Sequence, residues 1–385
     1  VLNTLPVVAT ARQPRSLVQI ATSYADTPQP LSGVVSWSIS NNSYFEADTF
    51  RVVLAASALP STNNTAWFMS QDEIYVQISA SESPANPDAP AADSLTTLIY
   101  GRVDTVDFDP VRTEVHLSGR DLSAAFIDNK LATEYTSQVA SGIVSELASA
   151  RNIPAQISAT STRIGTGFQG VFGHATVNQS EWDLICYLAR IEGFVAFVSP
   201  TQGLYFGPDP RDTSNPYVIR WQAPTSSQAF PIANVSELDF SRSMTVAKGI
   251  TVVVSSAQQA RKTPVVEYYP SAPRAIQPGK ASPFGDVQAY YFNTTPNSSP
   301  VQCKTLAQTK YNEIISHTMK MSARLPADGV LSISTPIQVQ GTGTVCDQIY
   351  FPREITREFS KDEGYMMHAQ AQNTDQALED ATVTP

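Results

Sequence analysis

Apolar and polar residues alternate at a period of two through the first third of the chain. Val35, Trp37 and Ile39 alternate with polar neighbours, TFRVVLAAS follows, and Ile74, Val76 and Ile78 recur on one face of EIYVQISAS. This is the spacing of half-buried strands. A longer segment from Leu95 to Asp109 turns at DPVR and returns as TEVHLS, which predicts an antiparallel ribbon. Between the strands, SESPANPDAPAADS carries three prolines and predicts irregular structure.

At Gly119 the period changes. Helices are expected at 121–129 and 136–151, the second with Val139, Ile143, Val144 and Leu147 on one stripe. A third lies in SEWDLICYLARIEG: Ser180 and Asp183 have the spacing of a capping box, Leu184, Ile185 and Leu188 form the stripe, and Gly193 stands at the C-cap. The hairpin FVAFVSPTQGLYFGP follows, so 120–208 reads as an α+β unit. From Val235 the β pattern resumes with SELDFSRS and GITVVVSS. A Pro-rich segment at 257–300, with prolines at 264, 270, 273, 278 and 283, predicts no long strand or helix and a peripheral position. A helix near 302–316 and strands from Thr318 to Gln370 complete the pattern.

The two β regions resemble each other. RVDTVDFD at 102–109 lies over REITREFS at 353–360, matching Arg102 with Arg353, Thr105 with Thr356, Phe108 with Phe359 and Asp107 with Glu358. In the same order, WSIS at 37–40 lies over LDFS at 238–241, and RVVL at 51–54 over TVVV at 251–254. Ordered matches predict a duplicated β-domain. Phe108 and Phe359 are then expected in equivalent core positions, with Asp107 and Glu358 on the opposite strand face.

Composition narrows the function. Of 385 residues only 16% are charged and 42% are hydrophobic, so Ser, Thr, Asn and Gln fill a charge-poor surface that desolvates cheaply on assembly. A formal net charge of −10 without any basic run argues against a nucleic-acid-binding surface. No apolar run approaches a membrane span, and the N-terminal stretch lacks a signal pattern; the chain reads as soluble and not itself secreted. Six N-x-S/T sequons, at Asn41, Asn63, Asn178, Asn234, Asn293 and Asn297, therefore carry little weight. Cys186, Cys303 and Cys346 are odd in number and far apart, which predicts neither a disulfide framework nor a zinc site.

Asp104, Asp107 and Asp109 raise a catalytic or calcium reading, but they lack the tight glycine turn of a calcium loop, and Arg102 and Arg112 stand near enough to pair with them. A solvated strand face is the expectation. His116, His174, His317 and His368 are isolated, and GTGT at 341–344 precedes no helix. Neither a catalytic residue, a metal site nor a cofactor is predicted.

LSGRDLSAAFIDNK and LARIEGFVAFVSPTQGLYFGP together resemble bacteriophage tail (baseplate) hub proteins, the Mu-like hub and late control protein D family. Ser118 to Asp128, Leu188 to Phe194 and Tyr205 to Gly207 carry the likeness. The resemblance implies a fold that is mainly β with α+β, in which two tube-like antiparallel β-barrel domains flank an α+β middle domain. On this reading the barrels occupy 1–118 and 235–255 plus 318–370, the middle domain 119–234, a peripheral insertion with one helix 256–317, and a polar tail 371–385. It further implies a homotrimeric ring joining a sixfold tail tube or distal tail protein to a threefold spike or tip, with other baseplate proteins around it. DNA would pass without specific binding, and the chain would not insert stably into a membrane. The expected location is the virion tail baseplate, assembled in the host cytoplasm. Asp107 and Glu358 are candidate channel-facing residues. Gly119, Arg120 and Asp121 are expected to form a structural joint: Gly119 through a backbone conformation closed to other residues, Arg120 as a carboxylate clamp, Asp121 as a helix cap. The alternatives are a tail-associated cell-wall hydrolase, which needs an acidic pair in a cleft, and a secreted β-rich adhesin.

Overall fold

A computed structural model describes residues 14–373 apart from 82–94, 132–134, 136–137, 162, 165–178, 227–229, 245–249, 259–262, 274–287, 295 and 316–318. The expected C-terminal tail lies outside the described residues beyond Asn373.

The first β-repeat contains β1 (Arg15–Ala21), β2 (Gln29–Pro30), β3 (Val34–Asn42), β4 (Thr49–Ala55), β5 (Tyr75–Ser81), β6 (Thr96–Asp109) and β7 (Glu114–Asp121). Its strands lie in the order β3-β4-β7-β6-β5-β1, each antiparallel to the next. Alternation decides the faces: Phe50, Val52 and Leu54 of β4 and Val115 and Leu117 of β7 are buried, while Arg51 and His116 lie on the opposite, polar face. The sheet coils until its ends approach, and the Trp37 indole on β3 donates to Ser16 Oγ on β1 at 2.6 Å. At the tip of the β6–β7 ribbon, Asp109 Oδ1 accepts from Val111 N and Arg112 N, which fixes the turn predicted at DPVR.

The middle unit follows with β8 (Gln138–Val139), β9 (Ala155–Ile157), β10 (Arg163–Ile164), β11 (Val195–Ser199) and β12 (Gly203–Gly207), and helices Ala124–Ile127, Ala140–Ala150 and Glu181–Glu192. Ser180 and Asp183 close the predicted capping box, and Gly193 ends the helix at φ 69°. This unit has its own core, built around Ile143, Leu147, Ile185, Leu188 and Phe206.

The second repeat contains β13 (Tyr217–Gln222), β14 (Ile232–Ala233) and β15 (Glu237–Arg242). After an insertion comprising β16 (Ile250–Ser256), β17 (Val265–Tyr269), β18 (Gln288–Asn293) and helix Pro300–Ile315, it resumes with β19 (Met319–Pro326), β20 (Ile337–Gln340), β21 (Ile349–Ser360) and β22 (Gly364–Gln372). Its order is β15-β19-β22-β21-β20-β13. Strand for strand, and in the same chain order, this repeats the first half. The first five strands are antiparallel in both repeats, and only the sixth differs: β13 runs parallel to β20, whereas β1 runs antiparallel to β5.

The two copies superpose rung by rung. Trp37, Val52, Leu117 and Val106 face one another across the first sheet as Leu238, Ala323, Ala369 and Ile355 do across the second. A β-bulge falls at Asp104 in β6 and at Arg353 in β21, the same distance before Val106 and Ile355. The backbone bond from Asp121 N to Asp48 O, 2.9 Å, recurs as that from Asn373 N to Met319 O, 3.0 Å.

This frame corrects two sequence matches. The observed register moves the pairing of 102–109 with 353–360 by two residues, so Asp107 aligns with Thr356 and Phe108 with Arg357. Because the shift is even, each residue keeps its face. Phe108 and Phe359 are not equivalent: Phe359 stacks on Trp37 at 5.8 Å, whereas Phe108 is 41% exposed. The TVVV match fails outright, since the counterpart of β4 is β19. Its three consecutive valines instead serve β16, the centre of a separate sheet ordered β17-β16-β18 and covered by helix Pro300–Ile315. The Pro-rich segment does contain short strands, and Pro264 and Pro270 bracket one of them.

The two repeats form one sheet because β3 pairs with β21, residues 36–42 against 354–360. A single core runs beneath both, from Val18 and Ile78 to Met367 and Ala371. Among the described residues no helix is long and apolar enough to cross a membrane.

Arg242 and Met319 are directly paired at the root of the insertion, so the strands on either side of it already meet as a hairpin. The insertion has a separate core of Ile250, Val252, Val254, Cys303, Ala307 and Tyr311. Replacing residues 244–318 by a short Asn-Gly turn is therefore expected to leave a soluble, cooperatively unfolding chain. Circular dichroism and thermal melting check this; aggregation or loss of the transition would make the insertion part of the main core.

Candidate functional site

The sequence-predicted residues converge where the first repeat meets the middle unit. β7 carries Gly119, Arg120 and Asp121 straight toward helix Ala124–Ile127. Gly119 is needed for a reason other than the expected one. Its backbone is extended, and a Cβ there would lie 2.1 Å from Arg102 O and 2.7 Å from Phe50 Cζ. Gly101 on the neighbouring strand is equally confined, 2.1 Å from Arg120 O. Close approach of β6 and β7 beside the bulge excludes a side chain at both positions.

Arg120 holds two carboxylates. Its Nε donates to Asp104 Oδ2 at 2.7 Å and its Nη2 to Asp104 Oδ1 at 3.0 Å, while Nη1 and Nη2 reach Asp128 at 3.1 Å. Arg102 Nη2 also donates to Asp128, at 2.9 Å. The bidentate bonds to Asp104 and those to Asp128 hold the Arg120 guanidinium above its ordinary pKa. These side chains are one quarter to two fifths exposed, so the square contributes only about 1 kcal/mol per pair. Its role is geometric: Asp128 ends the short helix, and the clamp fixes that helix against β6.

Asp121 is buried and turns inward. Its Oδ1 accepts from Ser123 N at 3.0 Å and also from Ser123 Oγ, an Asx turn at the helix entrance. The helix N-cap itself is Ser123, which makes no side-chain cap bond.

Asp48 and Arg357, which sequence reading did not single out, complete the site together with Asn41. Asp48 Oδ2 accepts from Asn41 Nδ2 and Oδ1 from Asn42 N, both at 2.7 Å. Arg357, 3% exposed on β21, donates from Nη1 to Asn41 Oδ1 at 2.8 Å, from Nε to Asp328 O at 3.3 Å, and from Nη2 to Leu331 O. Asn41, Asp48, Asp121 and Arg357 thus line one cleft of about 440 Å³ where both repeats and the middle unit meet. Burial, and next the Asp121 charge, push the Asp48 carboxyl up to about 8, against the pull of Asn41, Asn42 and Arg357. Burial pushes Asp121 up to about 6, opposed by its Ser123 donors.

The β3–β4 turn plugs this corner into the middle unit. Phe45, at φ 75°, donates from N to Ala196 O at 2.9 Å and accepts at O from Trp182 Nε1 at 3.0 Å. The Arg190 guanidinium covers its ring at 4.8 Å. Tyr24, Tyr75 and Tyr100 of the first repeat pack on the same core.

Asp107 and Glu358 lie elsewhere. Both are exposed, on the sheet face opposite the core, with Ser38, Ser40, Thr105, Ser118 and Thr356. Asp109 is occupied in its turn. Among the described residues no group of three His, Cys, Asp or Glu could hold a metal.

No known family matches the sequence and no curated protein matches it. Solved structures do. The tail protein from Neisseria meningitidis is 13% identical at a TM-score of 0.63, over 93% of this chain and 96% of that one. The prophage MuSo2 43 kDa tail protein from Shewanella oneidensis is 10% identical at 0.63, over 94% and 99%. A chain of the Francisella PdpA–VgrG complex is 9% identical at 0.55, over 95% of this chain and 59% of that one. The chain shares the fold of these phage tail proteins.

Two outcomes test the site. Gly119→Ala is expected to destabilise the chain by about 2–3 kcal/mol in urea unfolding, because backbone must move to admit the methyl group; a change below about 0.5 kcal/mol would contradict the close approach. For Asp48, the folded chain keeps a proton that the unfolded chain releases near pH 4, so stability is lost as pH rises from about 4 to 8. Asp48→Asn removes that loss. The variant should gain on the order of 4 kcal/mol over wild type between pH 5 and pH 8, and a pH-independent difference would contradict an enclosed, protonated Asp48.

Proposed function

We propose that the chain is a structural tail hub, three copies of which form a ring joining a sixfold tail tube or distal tail protein to a threefold spike or tip. The observation that carries this is the duplication. Each chain offers two β-repeats of the same strand order in one sheet, so three chains present six similar repeats, and a sixfold neighbour meets no mismatched face. The shared fold with phage tail proteins supports the same reading, and a VgrG complex with this fold supports partners of the spike and baseplate kind.

In this ring the polar face of the sheet, with Asp107 and Glu358, lines the channel. Asp107 and Glu358 repel the phosphates of passing DNA, and arginines of the same face are engaged by neighbours, Arg324 by Glu237 and Glu363 and Arg120 by Asp104 and Asp128. The chain acts in the virion tail baseplate after assembly in the host cytoplasm.

The hydrolase reading deserves one comparison, because Asp48 and Asp121 do form an acidic pair in a cleft. Both oxygens of Asp48 and Oδ1 of Asp121 are already engaged by Asn41, Asn42 and Ser123, and the neighbouring Arg357 spends two of its bonds on backbone carbonyls. Such groups position strands and hold no free reach toward a substrate. No turnover is assigned to them.

Native mass spectrometry at micromolar concentration tests the ring, with a homotrimer expected and a monomer or dimer contradicting it. Peptidoglycan cleavage by the purified chain that disappears in Asp48→Asn or Asp121→Asn would replace the structural reading with the hydrolase.

A further inference from the structure

The insertion stands where the first repeat needs only a turn. β3 runs into β4 through residues 43–48, whereas their counterparts β15 and β19 are separated by a unit with its own sheet and its own core. None of the insertion's strand or helix residues belongs to the main core, and Arg242 already pairs with Met319 at its root. The unit adds a surface to the frame and no support.

Alternation divides its sheet, β17-β16-β18, into two faces. Ile250, Val252 and Val254 of β16 share a core with Cys303, Ala307 and Tyr311 of helix Pro300–Ile315. Residues of the opposite parity turn away from the helix: Val253 pairs with Tyr268 on β17 and with Tyr291 on β18, and Ser255 pairs with Val266 and Asn293. Tyr291 is 73% exposed, Val266 47% and Tyr268 44%, while Val253 between the two tyrosines is buried. Among the described residues neither tyrosine stacks on another ring and neither hydroxyl has a hydrogen-bond partner. Ser255 Oγ donates to Asn293 Oδ1 at 2.6 Å, which leaves the Asn293 amide nitrogen to donate outward.

We propose that this face is a binding platform for an uncharged, extended polysaccharide, whose rings stack on Tyr268 and Tyr291 and whose hydroxyls meet Ser255 and Asn293. Two strand spacings, about 9.6 Å, separate the tyrosines, and alternate rings of an extended β-linked pyranose chain lie that far apart with the same C–H face turned to one side. Those hydrogens are polarised by the sugar oxygens and meet the electron-rich face of the phenol ring. Charge disfavours a nucleic-acid strand: β16, β17 and β18 hold no lysine or arginine, and their one charged residue, Glu267, pairs with Val254 on the helix side. Size disfavours a protein surface, since three strands about 10 Å across and two rungs about 7 Å apart fall far short of the roughly 800 Å² that each partner of a stable complex buries. A neutral ligand with an apolar face and a polar edge matches what remains. In a tail such a platform holds the particle on a glycan-covered surface, and it does not depend on the ring.

The test is isothermal titration of the full chain with cellohexaose and hexa-N-acetylchitohexaose, both neutral and β-linked, beside decaproline and oligothymidylate. At least one of the sugars is expected to bind saturably, and neither decaproline nor oligothymidylate. Tyr291→Ala and Tyr268→Ala, both at exposed positions, should leave the thermal transition in place and each weaken sugar binding about tenfold, whereas Tyr291→Phe, which keeps the ring, should stay within about twofold. No binding of either sugar at about 10 mM, sugar binding unchanged in both alanine variants, or binding of decaproline or oligothymidylate in place of the sugars would overturn the platform.

Discussion

The pairing of β3 with β21 is the interaction on which the rest of the structure depends. It turns two separate β-repeats into one sheet above one core, and it fixes the angle between them. Aromatic stacking of Phe359 on Trp37 closes one end of the ladder, and burying Trp37 contributes about 2–3 kcal/mol. At its centre a buried cation, Arg357, is satisfied by Asn41 and two backbone carbonyls. A buried arginine without those partners would cost several kcal/mol, so the register of the ladder is strongly specified. A slip by one residue would expose Trp37 and Ile39 and bury serines.

The middle unit depends on the same corner. The β3–β4 turn that carries Asp48 also carries Phe45, whose backbone bonds to Ala196 and Trp182 hold the two cores together. On the far side of that contact, β7 delivers Asp121 beside Asp48 and Arg120 onto Asp104 and Asp128. Repeat, joint and middle unit are thus fixed by one continuous set of contacts. Protonation of Asp48 lets two carboxylates share a low-dielectric corner without mutual repulsion.

Much of this was legible in the sequence. Period-two alternation located the strands, Ser180, Asp183 and Gly193 set the limits of a helix, and the WSIS–LDFS match found a true pair of equivalent strands. The REITREFS match was displaced by two residues because a period-two pattern looks the same after an even shift, and RVVL–TVVV failed because three apolar residues in a row suit any strand covered on both faces. The acidic pair was not visible, since Asp48 and Asp121 are 73 positions apart and meet only through β-pairing. Arg357 did carry a signal: the alternation of β21 places it inward, on the face of Ile355 and Phe359. Gly119 was singled out for a backbone conformation it does not adopt, because whether a glycine serves a left-handed turn or a close approach is decided by the neighbouring strand, which the local sequence does not contain.

Duplication within the chain matters functionally only if copies of the chain continue the same arrangement between themselves. Electron cryomicroscopy of the purified protein viewed along its symmetry axis tests this directly. The account predicts a threefold particle with six similar β-lobes around an open channel, the polar sheet faces turned inward. A particle whose lobes do not alternate around one axis, or whose polar faces point outward to solvent, would contradict it.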